Sequence, residues 1–119
     1  MLHIEPLHLE LGSAPEDLLH FSRDVAIALE ASEDVRCYSA SFSIEVCTPS
    51  WLAEKARNAG WTWGRRRLVI PRWDPLTVER AIKSVIAEAS TTSWAAFVHA
   101  LELYWHSEES PDDSDAPAS

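Results

Sequence analysis

The stretch "RDVAIALEASEDVRCYSASFSIEVC", Arg23 to Cys47, contains two alternating runs separated by a short charged link. In the first, Val25, Ile27 and Leu29 share one side, with Asp24 and Glu30 on the other; in the second, Phe42, Ile44 and Val46 oppose Ser41, Ser43 and Glu45. A period of two marks a half-buried strand, because successive side chains of an extended chain point to opposite faces. Two such strands joined by "SEDVR" form an antiparallel hairpin, with Glu33 and Asp34 at its tip. One face is apolar and the other is acidic and rich in serine. Upstream, "HIEPLHLEL" alternates at Leu7, Leu9 and Leu11, and Pro6, which cannot donate to a ladder, implies an edge strand or a delayed start.

Beyond Cys47 the period changes. In "TPSWLAEKARNAG", Thr48 is a cap residue, Pro49 suits the first helical position and Gly60 suits a left-handed stop, so the spacing predicts a helix over Pro49 to Ala59. "RRRLVIPRWD" reads as a strand buried on both faces, with Pro71 bringing its end near a sheet edge. Asp74 and Pro75 open a second helix with a stripe of Val78, Ile82, Val85, Ile86 and Ala89. Ser93 caps a third, in which Trp94, Phe97, Leu101, Tyr104 and Trp105 recur at near-helical spacing. The fold class is therefore α+β: a mostly antiparallel sheet of about four strands with about three helices packed on one face. Residues 1–106 form a single domain, and 107–119, acidic and without a large apolar residue, have the composition of a disordered tail.

Charge is unevenly placed. Net charge is −8 from Met1 to Glu54, +6 from Lys55 to Lys83 and −7 from Ser84 onward, giving −9 over the 119 residues. An acidic total disfavours general nucleic-acid binding and favours a basic partner. No apolar run is long enough to span a bilayer, and "MLHIEPLHLEL" lacks the basic and apolar regions of a signal peptide, so the expected location is the cytoplasm and no membrane partner is expected. Cys37 and Cys47, ten residues apart on one strand, lie about 33 Å from each other at ~3.3 Å per residue and are expected to be free thiols.

Motifs for chemistry are scarce. The five histidines make no i, i+4 pair and there is no Cys-x-x-Cys, so neither a metal nor another cofactor is expected. Ser39, Ser41 and Ser43 lie on a strand without a nucleophile elbow, and three glycines do not build a phosphate-cradling loop. The segment "GWTWGRRRLVIPRW", Gly60 to Trp73, concentrates three tryptophans and four arginines. Alternation sends neighbouring arginines of a strand to opposite faces, so the segment reads as structural. Trp61 and Trp63 are expected to close one end of the core, Arg65 to be anchored by a carboxylate or by backbone carbonyls, and Trp63→Ala to cost about 3–5 kcal/mol.

The ordered elements from Ser41 to Leu101, "SFSIEVCTPSWLAEKARNAGWTWGRRRLVIPRWDPLTVERAIKSVIAEASTTSWAAFVHAL", resemble the immunity protein 8 family of bacterial polymorphic-toxin systems. The family-like positions are Cys47, Thr48, Pro49, Trp51, Leu52, Gly64, Arg65, Arg72 and Trp94. Pro71 and Ala96 depart from the family pattern, and Tyr104, Trp105 and His106 stand in another order than the family's closing run. The resemblance implies a protein without catalytic function that binds and neutralises a cognate toxin, whose gene is expected beside its own. Combined with the acidic hairpin face, it points to Asp24, Glu30, Glu33, Asp34 and Glu45 as toxin-binding residues and to a basic, nuclease-like toxin. The alternative is a nucleic-acid-binding module acting through Arg65, Arg66, Arg67 and Arg72; an enzyme of other chemistry ranks third.

Overall fold

The alternating runs pair as their patterns demand. In the computed structural model, which describes residues 2–90 and 93–108, β2 (Ser22–Glu33) and β3 (Arg36–Cys47) form an antiparallel hairpin. Its register sets Val25 against Ile44, Ile27 against Phe42 and Leu29 against Ala40. A slip of one residue would turn these apolar side chains to solvent, so burial of one face specifies the register. Asp34 turns the corner at φ 57°, a left-handed conformation that aspartate tolerates better than most residues. β1 (His3–Glu10) lies antiparallel on the other side of β2, with Leu9 opposite Ile27 and Leu7 opposite Leu29. A register irregularity between Ile4 and Leu7 brackets Pro6, and β1 is the edge of the sheet.

The chain leaves β3 through α1 (Pro49–Ala59) and returns as β4 (Arg67–Val69), parallel to β3 with Glu45 opposite Arg67. A parallel return needs a crossover of this kind, because a tight turn only reverses direction. Gly60 closes α1 at φ 88°, as expected. Thr48 does not cap with its side chain. Its buried hydroxyl accepts a hydrogen bond from the Phe21 backbone N–H at 3.1 Å, tying the start of β2 to the end of β3. β4 is shorter than the sequence pattern suggested and is not buried on both faces: Leu68 is half-buried and Val69 exposed.

α2 (Pro75–Ala89) and α3 (Trp94–Leu101) pack on the apolar sheet face. Asp74 and Ser93 cap them, accepting from the backbone N–H of Leu76 and Ala96. Val78, Ile82, Phe97 and Leu101 meet Val25, Ile27, Leu29 and Phe42 in the core, to which α1 contributes no buried residue. The last helix is shorter than its apolar spacing implied. It stops at Leu101, the chain turns, and Trp105, 1 % exposed, folds back against Phe42 with ring centroids 5.6 Å apart. Burying this indole overrides continuation of the helix. Tyr104 is left outside.

The return carries β5 (His106–Ser107), which pairs antiparallel with β3 at Phe42 and Ser43; the Glu108 N–H then reaches the Ser41 carbonyl at 2.9 Å. Ser107 and Glu108, assigned to the tail by composition, thus lie on the sheet, and residues 109–119 fall outside the described residues. Both thiols are free and both stand on β3, Cys37 exposed and Cys47 buried.

Candidate functional site

The hairpin leaves a whole sheet face outside the core. Asp24, Ala26, Ala28 and Glu30 of β2 and Ser39 and Ser41 of β3 are exposed on it, beside His8 and Glu10 of β1. Small side chains floor this face, so its backbone is accessible, and the longer acids stand at its rims. A shallow groove of about 560 Å³ runs across the floor between Glu10 and Glu108. Glu108 accepts a hydrogen bond from the Ser43 hydroxyl at 2.5 Å and is a further acid here. Nothing in its local sequence marked it, because β5 is too short and too polar to alternate.

The five acids singled out by sequence do not act as one set. Asp24 and Glu30 are exposed and have no cationic partner among the described residues. Asp34 is exposed at the hairpin tip, whereas Glu33 is half-buried opposite Arg36. Glu45 is committed elsewhere. Its carboxylate accepts hydrogen bonds from the Arg67 Nε–H at 2.7 Å and from the Ser22 hydroxyl. Burial pushes the Glu45 carboxyl up, but the hydrogen bonds from Ser22 and Arg67 and the charges of Arg67 and Lys55 more than offset this and hold it below its ordinary value. The Arg67 guanidinium lies 5.9 Å from the centre of the Trp51 ring and its Nη1 reaches Thr62 Oγ1 at 3.4 Å.

The arginine segment therefore borders the acidic face. Asp24, Glu45, Trp63 and Arg65 to Arg67 line one groove of about 260 Å³. Arg66 and Arg67 come to the edge of this face, while Arg23 turns away from it to the Leu11 and Ser13 carbonyls and the Trp73 ring.

The structural reading of Trp61 and Trp63 is corrected as well. They are 63 % and 70 % exposed and touch each other edge to face, with centroids 5.7 Å apart. The third indole of that segment, Trp73, closes the core against Phe21 instead. Alternation does not reach Trp61 and Trp63, because β4 begins only at Arg67 and the preceding residues are loop. Arg65 has no anchoring carboxylate or carbonyl among the described residues; that role falls to Arg67.

The family-like positions divide by environment rather than forming a site. Cys47 and Thr48 are buried, and burial, followed by the charge of Glu45, pushes the Cys47 thiol up. Pro49 is exposed at the start of α1, Leu52 is half-buried, and Trp51 lies half-buried beneath Lys55 and Arg67. Trp94 stacks on Tyr38 at 5.0 Å and an interplanar angle of 10°. Gly64, Arg65 and Arg72 are exposed. Among the described residues no three His, Cys, Asp or Glu side chains converge on a point that would hold a metal, and no helix is long and apolar enough to cross a membrane.

The chain thus carries an exposed sheet face with acidic rims, and an aromatic loop beside it, on a packed α+β core. Residues 14–109 match the family model described as Immunity protein 8, and the chain belongs to that family. It is an immunity protein of a polymorphic toxin system, without catalytic function, whose partner is a cognate toxin. Comparison with curated proteins and with solved structures finds no match.

Proposed function

We propose that this immunity protein neutralises its toxin in the cytoplasm of the producing cell by laying the outer face of β1, β2 and β3 over a basic active-site cleft of the kind a nuclease uses for phosphates. The observation that carries this reading is the pair Asp24 and Glu30, exposed on one strand of an uncovered face and unpaired with any cation among the described residues. They stand about 20 Å apart at ~3.3 Å per residue, a span suited to a cleft. A chain of net charge −9 adds a long-range field of the same sign. Such a field accelerates encounter with a basic partner and is weakened by salt. Glu45 contributes less than its sequence position suggested, since Arg67 neutralises it.

The test is association kinetics with the purified, inactivated toxin domain encoded by the neighbouring gene. Asp24→Lys together with Glu30→Lys should slow association at least ~10-fold at low salt, within the range of electrostatic steering, and flatten its salt dependence. Both positions are exposed, so the fold should be retained. An unchanged association rate, or a toxin domain of acidic net charge, refutes the reading.

A further inference from the structure

The loop that follows α1 combines features that the acidic-face reading leaves unused. Gly60 at φ 88° ends the helix and Arg66 at φ 59° starts the entry to β4, so left-handed residues fix the chain at both ends of the loop. Arg67 holds its base, through Glu45 at 2.7 Å and Thr62 at 3.4 Å. Between these points Trp61 and Trp63 project into solvent in mutual edge contact. Exposure of two neighbouring indoles on a held loop is costly in water, and tryptophan and arginine are the residue types most enriched where binding energy concentrates.

We infer that Trp61 and Trp63, with Arg65 and Arg66, form the apolar anchor of the toxin interface, seated in a hydrophobic depression of the toxin that is flanked by its carboxylates. This deepens the acidic-face reading and rests on it for the identity of the occupant. Charge complementarity selects the flanking chemistry: Arg67 is satisfied by Glu45, while Arg65 and Arg66 have no carboxylate partner among the described residues. Trp63 and Arg65 share a groove with Asp24, so the anchor is continuous with the acidic face and one partner spans both. Single-stranded nucleic acid, which also stacks on indoles and pairs with arginine, is disfavoured because the carboxylate of Asp24 faces the same groove in a chain of net charge −9.

The two surfaces predict separable kinetics. Acidic rims set the encounter, whereas a buried aromatic anchor sets residence time. With the same inactivated toxin domain, Trp63→Ala should speed dissociation at least ~30-fold, with association within about 2-fold of the parent; this is the fold-change of a hot spot. Trp61→Ala should act in the same direction, and Arg65→Glu should also weaken the complex. Thermal melts of each variant report folding independently.

Dissociation within 2-fold of the parent for Trp63→Ala, while Asp24→Lys with Glu30→Lys still slows association, overturns the anchor and leaves the acidic-face reading standing. Loss of the anchor effect together with an unchanged association rate in the acid variant overturns both. Micromolar binding of a mixed-sequence single-stranded DNA or RNA oligonucleotide that Trp63→Ala abolishes, with toxin dissociation unaltered, assigns the loop to nucleic acid and overturns the proposal.

Discussion

Replacing Arg67 with methionine tests how the short parallel strand is held. The Arg67 side chain is 12 % exposed and that of its partner Glu45 26 %, so their 2.7 Å contact lies between a surface pair and a buried one. Exposed pairs contribute about 0.2–1 kcal/mol and hydrogen bonds to charged groups about 1.5–3 kcal/mol, which brackets this one near 1–2 kcal/mol. Methionine keeps an unbranched apolar side chain at the position and removes the guanidinium, with its bonds to Glu45 and Thr62 and its place over the Trp51 ring. At this chain length 1 kcal/mol corresponds to about 3–6 °C, so Tm at pH 7 should fall by about 3–12 °C.

The pH dependence follows from the carboxyl. Glu45 is held below its ordinary value of 4.5 in the folded protein, so on acidification the unfolded chain takes up the proton first. The stabilisation is complete above the ordinary value and is lost as pH falls through the lower, folded value. Glu45→Gln should therefore flatten the loss of stability below about pH 4.5, and a double-mutant cycle with Arg67→Met should return a coupling near 1 kcal/mol at pH 7. A coupling below about 0.3 kcal/mol, or identical acid sensitivity in parent and Glu45→Gln, would refute the reasoning and reduce the pair to a surface contact.

The two kinds of tryptophan should separate in urea unfolding: Trp105→Ala, which empties a fully buried site beside Phe42, should cost about 3–5 kcal/mol, whereas Trp63→Ala should cost under ~1 kcal/mol. Equal losses would contradict the burial described for them. Cys37 should react with a thiol reagent in the native protein, while Cys47, buried with its thiol pushed up, should react only on unfolding. Two reactive equivalents in native buffer would show that the end of β3 is open.

The sequence alone determined whatever depends on neighbours along the chain. Alternation from Val25 to Leu29 and from Phe42 to Val46 specified two strands and the face each buries, because a half-buried strand has no other way to separate apolar from polar side chains. Pro49, Gly60, Asp74 and Ser93 marked helix ends through the backbone geometry and unpaired N–H groups they satisfy. The ordered elements from Ser41 onward were enough to indicate the family.

Tertiary structure decided the rest, since the deciding contacts join residues far apart in the chain. Trp105 leaves its helical spacing because a cavity beside Phe42, more than sixty residues earlier, takes the indole out of water. Trp61 and Trp63 are as apolar as Trp73, and only the short length of β4 leaves them on a loop while Trp73 meets Phe21. Glu45 looks like Asp24 in the alternating pattern, yet the crossover through α1 brings Arg67 to one and not to the other. Periodicity states which side of a strand a charge occupies; which charges remain available to a partner depends on what the folded chain has already placed against them.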